Sequence, residues 1–455
     1  MEISMSINRR DFMRSVASVS GVALAGAVTS CQTHVNTSNP LLPLPELSGI
    51  EHIVVVMMEN RSFDHLLGWL PNANGTQAGL QYLDSSGIPH ATYRLTTFAG
   101  CSHSDPDHSY AGGRSEYNNG KMDGWLRTST NDAFAIGYYE EADLPLYGTL
   151  ARNYTTLCNY FSSIMSSTFP NRFFQHCAQT DRLSNSIGLS TLPTIWDRLL
   201  SAGVSCRYYY SNAPYLSLWG PKYIGISALL PDFLVDAAKG ALPAVSFVEP
   251  WFTAFDDGND DHPWADLRNG EIFLRQVVQA LATGPGWSKT VLIINRDEWG
   301  GFFDHVVPPR AAAANSLDTD IVDGKTLLGF RVPVLVISPF SKGNPDKPRV
   351  DSLTYDHTSV LKLLEWRWQL QPLTPRDASN DIANLALALD FSNPDTSLPA
   401  LPVIDSPGEP CSNDGPAMTM VRREPVKGVD NESLDFYLLM KSELTNGWRL
   451  PAGLK

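Results

Sequence analysis

Two uninterrupted apolar runs, Ile53-Val54-Val55-Val56 and Val291-Leu292-Ile293-Ile294, dominate the hydrophobic pattern of the chain. Both have strand length, are rich in β-branched residues and do not alternate with polar positions, as expected of parallel strands buried on both faces. Val204–Tyr210, Ala244–Val248 and Val332–Ile337 predict further strands. Between them, apolar positions recur with helical period over Leu192–Ala202 (Pro193 in its first turn), Glu271–Ala282 and Ser359–Leu370, and Phe63–Leu70 opens a first helix. The alternation predicts one α/β domain, a large, mostly parallel sheet sandwiched by helices, over residues 48–395. Residues 71–148 are polar, with few periodic segments, and read as an excursion over the active site. Residues 32–47 form a linker, and 396–455 a Pro-, Ser- and Asp-rich C-terminal appendage with one helix, Glu432–Leu444.

The leader changes the compartment expected for this fold. Arg9-Arg10-Asp11-Phe12 followed by a weakly apolar stretch reads as a twin-arginine signal peptide over residues 1–31, and Val28-Thr29-Ser30-Cys31 resembles a lipoprotein cleavage box. The protein is expected to be exported by that route and to be periplasmic, secreted or lipid-anchored at the cell envelope. With a formal net charge of -14, nucleic acid is excluded as a partner. Six widely spaced cysteines show no Cys-x-x-Cys pattern, and their pairing stays open.

Chemistry concentrates at the ends of the two apolar runs. Glu59-Asn60 follows the first and Asp297-Glu298 the second. Oxygen donors at the carboxyl ends of neighbouring parallel strands can converge on one divalent cation. An all-oxygen set suits Ca²⁺ or Mg²⁺, and added histidine shifts the preference towards Zn²⁺, Mn²⁺ or Fe. Thr168 stands before Pro170-Asn171-Arg172 and reads either as a helix cap or as a nucleophile awaiting a base or metal. Arg172 offers a fork of donors for phosphate oxygens. His357 precedes a helix, His103 and His108 share a loop with Asp105 and Asp107, and His262 follows Asp260-Asp261 downstream of the strand-end Glu249. Tyr93, Tyr110, Tyr117, Trp125, Tyr138 and Tyr139 read as ordinary packing or as a cage for a quaternary ammonium.

Taken in order, these runs resemble one family. Glu-Asn-Arg-Ser-Phe-Asp-His at 59–65, Pro-Asn-Arg at 170–172, Glu-Pro at 249–250, Asp-His-Pro at 261–263, Asp-Glu-x-Gly-Gly-x-x-Asp-His at 297–305 and Tyr-Asp-His-Thr-Ser at 355–359 are similar to the bacterial and plant phosphoesterases. That family holds the non-specific phospholipases C and related acid phosphatases, within the alkaline-phosphatase-like superfamily. The resemblance covers residues 48–372 and implies an alkaline-phosphatase-like core. It implies Glu59, Asn60, Asp297 and Glu298 as ligands of a divalent metal and Thr168 as nucleophile. It also implies that His103, His108, His262, His305 and His357 line the phosphate pocket. The expected reaction is phosphate-ester hydrolysis through a phospho-threonine, with a phospholipase C acting on glycerophospholipid as the first reading. The second is an acid phosphatase acting on soluble monoesters, and the third a non-catalytic phosphate- or lipid-binding lipoprotein. Contact with a membrane would be peripheral or through a lipid anchor.

Overall fold

One strand of the central sheet, Val334–Ile337, runs against the other seven. In chain order the eight strands are β1 (His52–Met58), β2 (Thr155–Leu157), β3 (Cys206–Tyr210), β4 (Ser227–Leu229), β5 (Val245–Val248), β6 (Thr290–Arg296), β7 (Val334–Ile337) and β8 (Val350–Asp351). They are ordered β8-β2-β7-β6-β1-β5-β3-β4 across the sheet. β1 lies at its centre, parallel to β6 on one side and to β5 on the other. β7 is antiparallel to both β6 and β2. The computed structural model describes residues 42–128, 130–253, 258–405, 407, 411 and 432–451. The twin-arginine leader, Cys31 and most of the expected linker lie outside the described residues.

Ten α-helices surround the sheet among the described residues: α1 (Phe63–Leu67), α2 (Tyr110–Tyr117), α3 (Pro145–Asn153), α4 (Thr168–Cys177), α5 (Ile195–Ser201), α6 (Leu230–Lys239), α7 (Leu267–Thr283), α8 (His357–Trp368), α9 (Pro375–Ala378) and α10 (Glu432–Lys441). The unbroken apolar runs are explained by burial on both sides. Ile53, Val55, Val291 and Ile293 face a core built with α4, α5, α8 and α10. Val54, Val56, Leu292 and Ile294 face a second core built with α1, α3, α6 and α7. Period-two alternation puts successive side chains on opposite faces, so a strand covered twice has no polar position to spare.

Two elements depart from the sequence expectation. Pro193 lies just before α5 rather than in its first turn, because Thr194 is the N-cap and forms a reciprocal capping box with Asp197. The excursion is more structured than its polarity implied. It contains α2, a hairpin (Gln81–Leu83 with Pro89–Ala91) and a parallel pairing of Tyr93–Arg94 with Gly137–Tyr138. The appendage packs on the same core: Thr396 O accepts from Trp287 Nε1 at 3.0 Å and Pro402 O from Arg275 Nε at 3.0 Å. A disulfide joins Cys101 to Cys411, 310 residues apart; Cys158 and Cys177 are buried and Cys206 is half-buried. No helix among the described residues is long and apolar enough to cross a membrane.

Candidate active site

Register alone brings the acidic motifs together. Met58 pairs with Arg296 across β1 and β6, and Val56 with Val248 across β1 and β5. Glu59 and Asp297 therefore leave adjacent strand ends side by side, and Glu249 leaves the strand on the other flank. Asn60 sits in the left-handed region at φ 42°, a conformation asparagine tolerates better than most residues. Its N–H donates to Asp297 Oδ1 at 3.3 Å. Gly300, at φ 62°, closes the fit: a Cβ there would stand 2.4 Å from the Asn60 carbonyl oxygen. At Gly301 a Cβ would meet Pro106 Cβ at 2.6 Å. The Gly-Gly pair thus lets both motif loops and the excursion touch backbone to backbone.

Thr168 is the first residue of α4, following an extended Ser167 N-cap. Its Oγ1 donates to Glu59 Oε2 at 3.1 Å. Asn171, one turn on, ties the preceding loop to the helix: Oδ1 accepts from Ile164 N at 3.1 Å and Nδ2 donates to Ser166 O at 2.6 Å. Arg172 points its fork at protein groups. Nε donates to Glu59 Oε1 at 3.0 Å, Nη1 to Glu249 Oε2 at 2.6 Å and Nη2 to the Met57 carbonyl at 3.1 Å. Burial works against its charge, but Glu249, Glu59 and Asp297 together hold the guanidinium firmly protonated. Burial in turn pushes the Glu249 carboxyl up, an effect Arg172 only partly offsets.

The five expected histidines divide. His262 donates from Nδ1 to Asp260 Oδ2 at 2.6 Å, and its Nε2 lies 3.7 Å from Glu59 Oε2. Asp260 is itself fixed by Thr253 N at 2.6 Å, and its carbonyl accepts from Glu59 N at 2.8 Å. His108 donates from Nδ1 to Pro106 O at 2.6 Å, and its Nε2 lies 3.4 Å from Asn60 Nδ2. His357 donates from Nε2 to the Asp297 carbonyl at 2.6 Å and accepts at Nδ1 from the Tyr160 hydroxyl at 3.2 Å. Burial lowers its pKa to about 4, so it is a neutral strut beneath Asp297. The other two make their bonds elsewhere. His103 pairs with Asp132 at 2.8 Å and stacks on Phe134. His305 pairs with Asp64 at 2.5 Å and Asn74 at 3.1 Å.

Asp64, Asp304 and His305 make a second acidic cluster, with ligand-capable atoms within 4.8 Å of one another. A cation is already there: Arg331 donates to Asp64 Oδ1 at 3.1 Å and to Asp304 Oδ2 at 3.0 Å. At the strand ends the balance differs. Three carboxylates, Glu59, Glu249 and Asp297, share the one guanidinium of Arg172, and the buried Asp297 Oδ2 accepts no hydrogen bond among the described residues. An excess of buried carboxylate oxygen is what a hard divalent cation satisfies, so Glu59, Asn60, Asp297 and Glu298 fit such an ion better than the Asp64 cluster. The sequence runs that carry Asp260 and Asn171 were visible, but neither residue was given a role of its own, and Tyr160, which stands in no motif, was passed over.

A model of the Phosphoesterase family matches residues 50–371. The chain belongs to that family. Phospholipase C B of Mycobacterium tuberculosis (strain CDC 1551 / Oshkosh) is 32% identical, over 85% of this chain and 87% of that protein. Non-specific phospholipase C6 of Arabidopsis thaliana is 31% identical, over 76% of this chain and 73% of that protein. Among solved structures, an alkaline phosphatase superfamily protein from Vibrio parahaemolyticus aligns with a TM-score of 0.35 and 11% identity, covering 74% of this chain and 71% of that one. This family member is a phosphoric ester hydrolase, as its motifs led one to expect.

Proposed function

We propose that this phosphoesterase is a phospholipase C that cleaves glycerophospholipid to diacylglycerol and a phosphorylated headgroup through a phospho-threonine at Thr168. The observation that carries the reading is the Thr168 hydroxyl donating to Glu59, a carboxylate held from behind by Arg172, which Glu249 holds in turn. The relatives named phospholipase C support the substrate class. Glu59, Asn60, Asp297 and Glu298 would hold the divalent cation, which supplies Lewis-acid charge to a phosphoryl oxygen and lowers the cost of forming an alkoxide.

The chain's own residues do the rest. Glu59 orients the Thr168 Oγ1 lone pairs by taking its hydrogen bond, and Arg172 keeps Glu59 from rotating away. Attack forms the Oγ1–P bond as the Thr168 proton passes to His262 and the P–O bond to diacylglycerol breaks, the departing alkoxide taking a proton from solvent. Water then breaks the Oγ1–P bond, its hydroxyl joining phosphorus to release the phosphorylated headgroup and its other proton going to solvent, while the Thr168 oxygen takes back its own. His262 stands beside Glu59, and Asp260 fixes its tautomer so that Nε2 faces inward. It serves the Thr168 oxygen, as base in the first half and acid in the second, a role typically contributing about 10²–10⁴ in rate. Arg172 acts on Glu59 rather than on substrate. His357 and His108 support Asp297 and Asn60. The twin-arginine leader supports export, so the substrate would be met at the cell envelope or beyond.

The test is product analysis after incubation with phosphatidylcholine and divalent metal, with Thr168→Ala alongside. Diacylglycerol and phosphocholine from the wild type alone are expected. Hydrolysis of a simple phosphomonoester without lipid cleavage would move the protein to the phosphatase reading, and more than a few per cent activity in Thr168→Ala would remove Thr168 as nucleophile.

A further inference from the structure

The C-terminal appendage returns to the catalytic face at several points. Cys411 is bonded to Cys101, at the start of the loop that carries His103 and His108. Its sulfur also lies 3.3 Å from the carbonyl of Trp264, two residues after His262. Downstream, Phe436 of α10 is fully buried. Its ring stacks on Phe252, centroids 3.8 Å apart and planes 9° apart, and meets Phe169 edge-on at 5.5 Å. It also stands edge-on to His262 at 6.2 Å. Beyond α10, Trp448 Nε1 donates to the Gly220 carbonyl at 3.2 Å, fixing the far end.

These neighbours belong to the site. Phe169 is the residue after Thr168. Phe252 lies under the Arg172 guanidinium, 4.7 Å from ring centroid to carbon, so Phe436 is stacked on the far side of the ring that supports Arg172. Thr168 and Glu59 have no solvent exposure and His262 has 1%. A phosphate ester therefore reaches Thr168 only past or between side chains that now close the site, and Phe436 is the ring supplied by the appendage.

We propose that Phe436 is a specificity-determining residue: it closes the side of the site bounded by Phe169, Phe252 and His262, and so sets the bulk of the phosphate ester that reaches Thr168. The proposal rests on Thr168 as the reacting centre. It makes α10 part of the active site, brought there from the far end of the chain and held by the Trp448 anchor.

The experiment compares full-length Phe436→Ala and Phe436→Trp with wild type on a small and a large ester of whichever class the wild type turns over. For diesters the pair is p-nitrophenyl phosphorylcholine and phosphatidylcholine in detergent micelles; for monoesters it is p-nitrophenyl phosphate and 1-naphthyl phosphate. Failure of the phospholipase reading therefore leaves this test intact. A single methylene in an apolar pocket discriminates about 10–200-fold. The large-to-small ratio of kcat/KM is expected to rise about 10-fold in the alanine variant and fall about as much in the tryptophan variant. The ratio is internal to each preparation, so partial loss of fold cancels, and Phe436→Leu replaces the alanine variant should that be insoluble. Both ratios staying within about twofold of wild type would overturn the proposal and leave Phe436 as packing.

Discussion

Replacing Glu271 by glutamine should stabilise this protein at neutral pH and above, and not below about pH 5. Glu271 projects from α7 into the core, where Oε1 accepts from Leu146 N at 2.8 Å and Tyr147 N at 3.0 Å, capping the first turn of α3. Oε2 is buried and has no hydrogen-bond partner among the described residues. Burial pushes the carboxyl from 4.5 to about 8, with the two N–H bonds opposing and Asp261 adding to the rise. The folded protein thus keeps the proton over a range where the unfolded chain has released it. Stability contributed by the neutral form is complete below about pH 4.5, declines as pH rises and is exhausted above about pH 8. At pH 7, about 2.5 above the unfolded carboxyl's 4.5, the stability lost is about 3 kcal/mol. Glutamine retains the Oε1 acceptor and cannot ionise, but it places an amide N–H₂ where Oε2 had no partner, costing about 1 kcal/mol. Thermal melts of wild type and Glu271→Gln at matched scan rate should therefore cross: the variant melts slightly lower at pH 5 and several degrees higher at pH 8.5. Parallel Tm–pH curves for the two proteins would refute the buried neutral carboxyl.

Two further outcomes follow from the site. Arg172→Lys keeps a charge but loses the fork that binds Glu59 and Glu249 together, so kcat should fall at least about 100-fold with KM changed less than about threefold; a rise in KM at preserved kcat would instead place Arg172 on the substrate. His262→Ala should lower kcat by about 10²–10⁴, whereas His103→Ala should leave kcat within about threefold, because its partners are Asp132 and Phe134; the opposite ranking in a steady-state assay would exchange their roles.

The two apolar runs revealed the sheet's centre because burial on both faces leaves a signature that needs no neighbour to interpret. The acids just past them were legible for the same reason: a parallel strand's carboxyl end is located once the strand is. The direction of β7 was not, since Val334–Ile337 reads equally well in either sense. Nor was the division of the histidines. His305 lies in the same motif as Asp297 and Glu298, yet the glycine turn at 300–301 carries it towards Asp64 and Arg331. Arg172 looked like a phosphate ligand from its chemistry alone. Only the register that sets Glu249 beside Glu59 shows why its donors are spent within the protein. The Cys101–Cys411 bond and the place of Phe436 depend on contacts across more than 250 residues, which no local pattern encodes.

The charge around Thr168 makes a last demand that bears on binding before chemistry. Glu59, Glu249 and Asp297 share the one guanidinium of Arg172 in a buried space, with the buried Glu298 next to Asp297 in the chain. A phosphate ester brings at least one more negative charge. Two like charges about 4 Å apart repel by about 4 kcal/mol at the effective dielectric of a partly buried site, so without a divalent cation the substrate's own charge is opposed by several such terms. The cation is then a condition for anion binding as much as for turnover. Inorganic phosphate titrated into the metal-loaded protein should give a binding isotherm that chelation abolishes and Asp297→Asn weakens, while His305→Ala, in the cluster already neutralised by Arg331, leaves it intact. Phosphate binding of equal strength to the chelated protein would show that the anion is held away from these four acids, and the assignment of Thr168 to the reacting centre would fall with it.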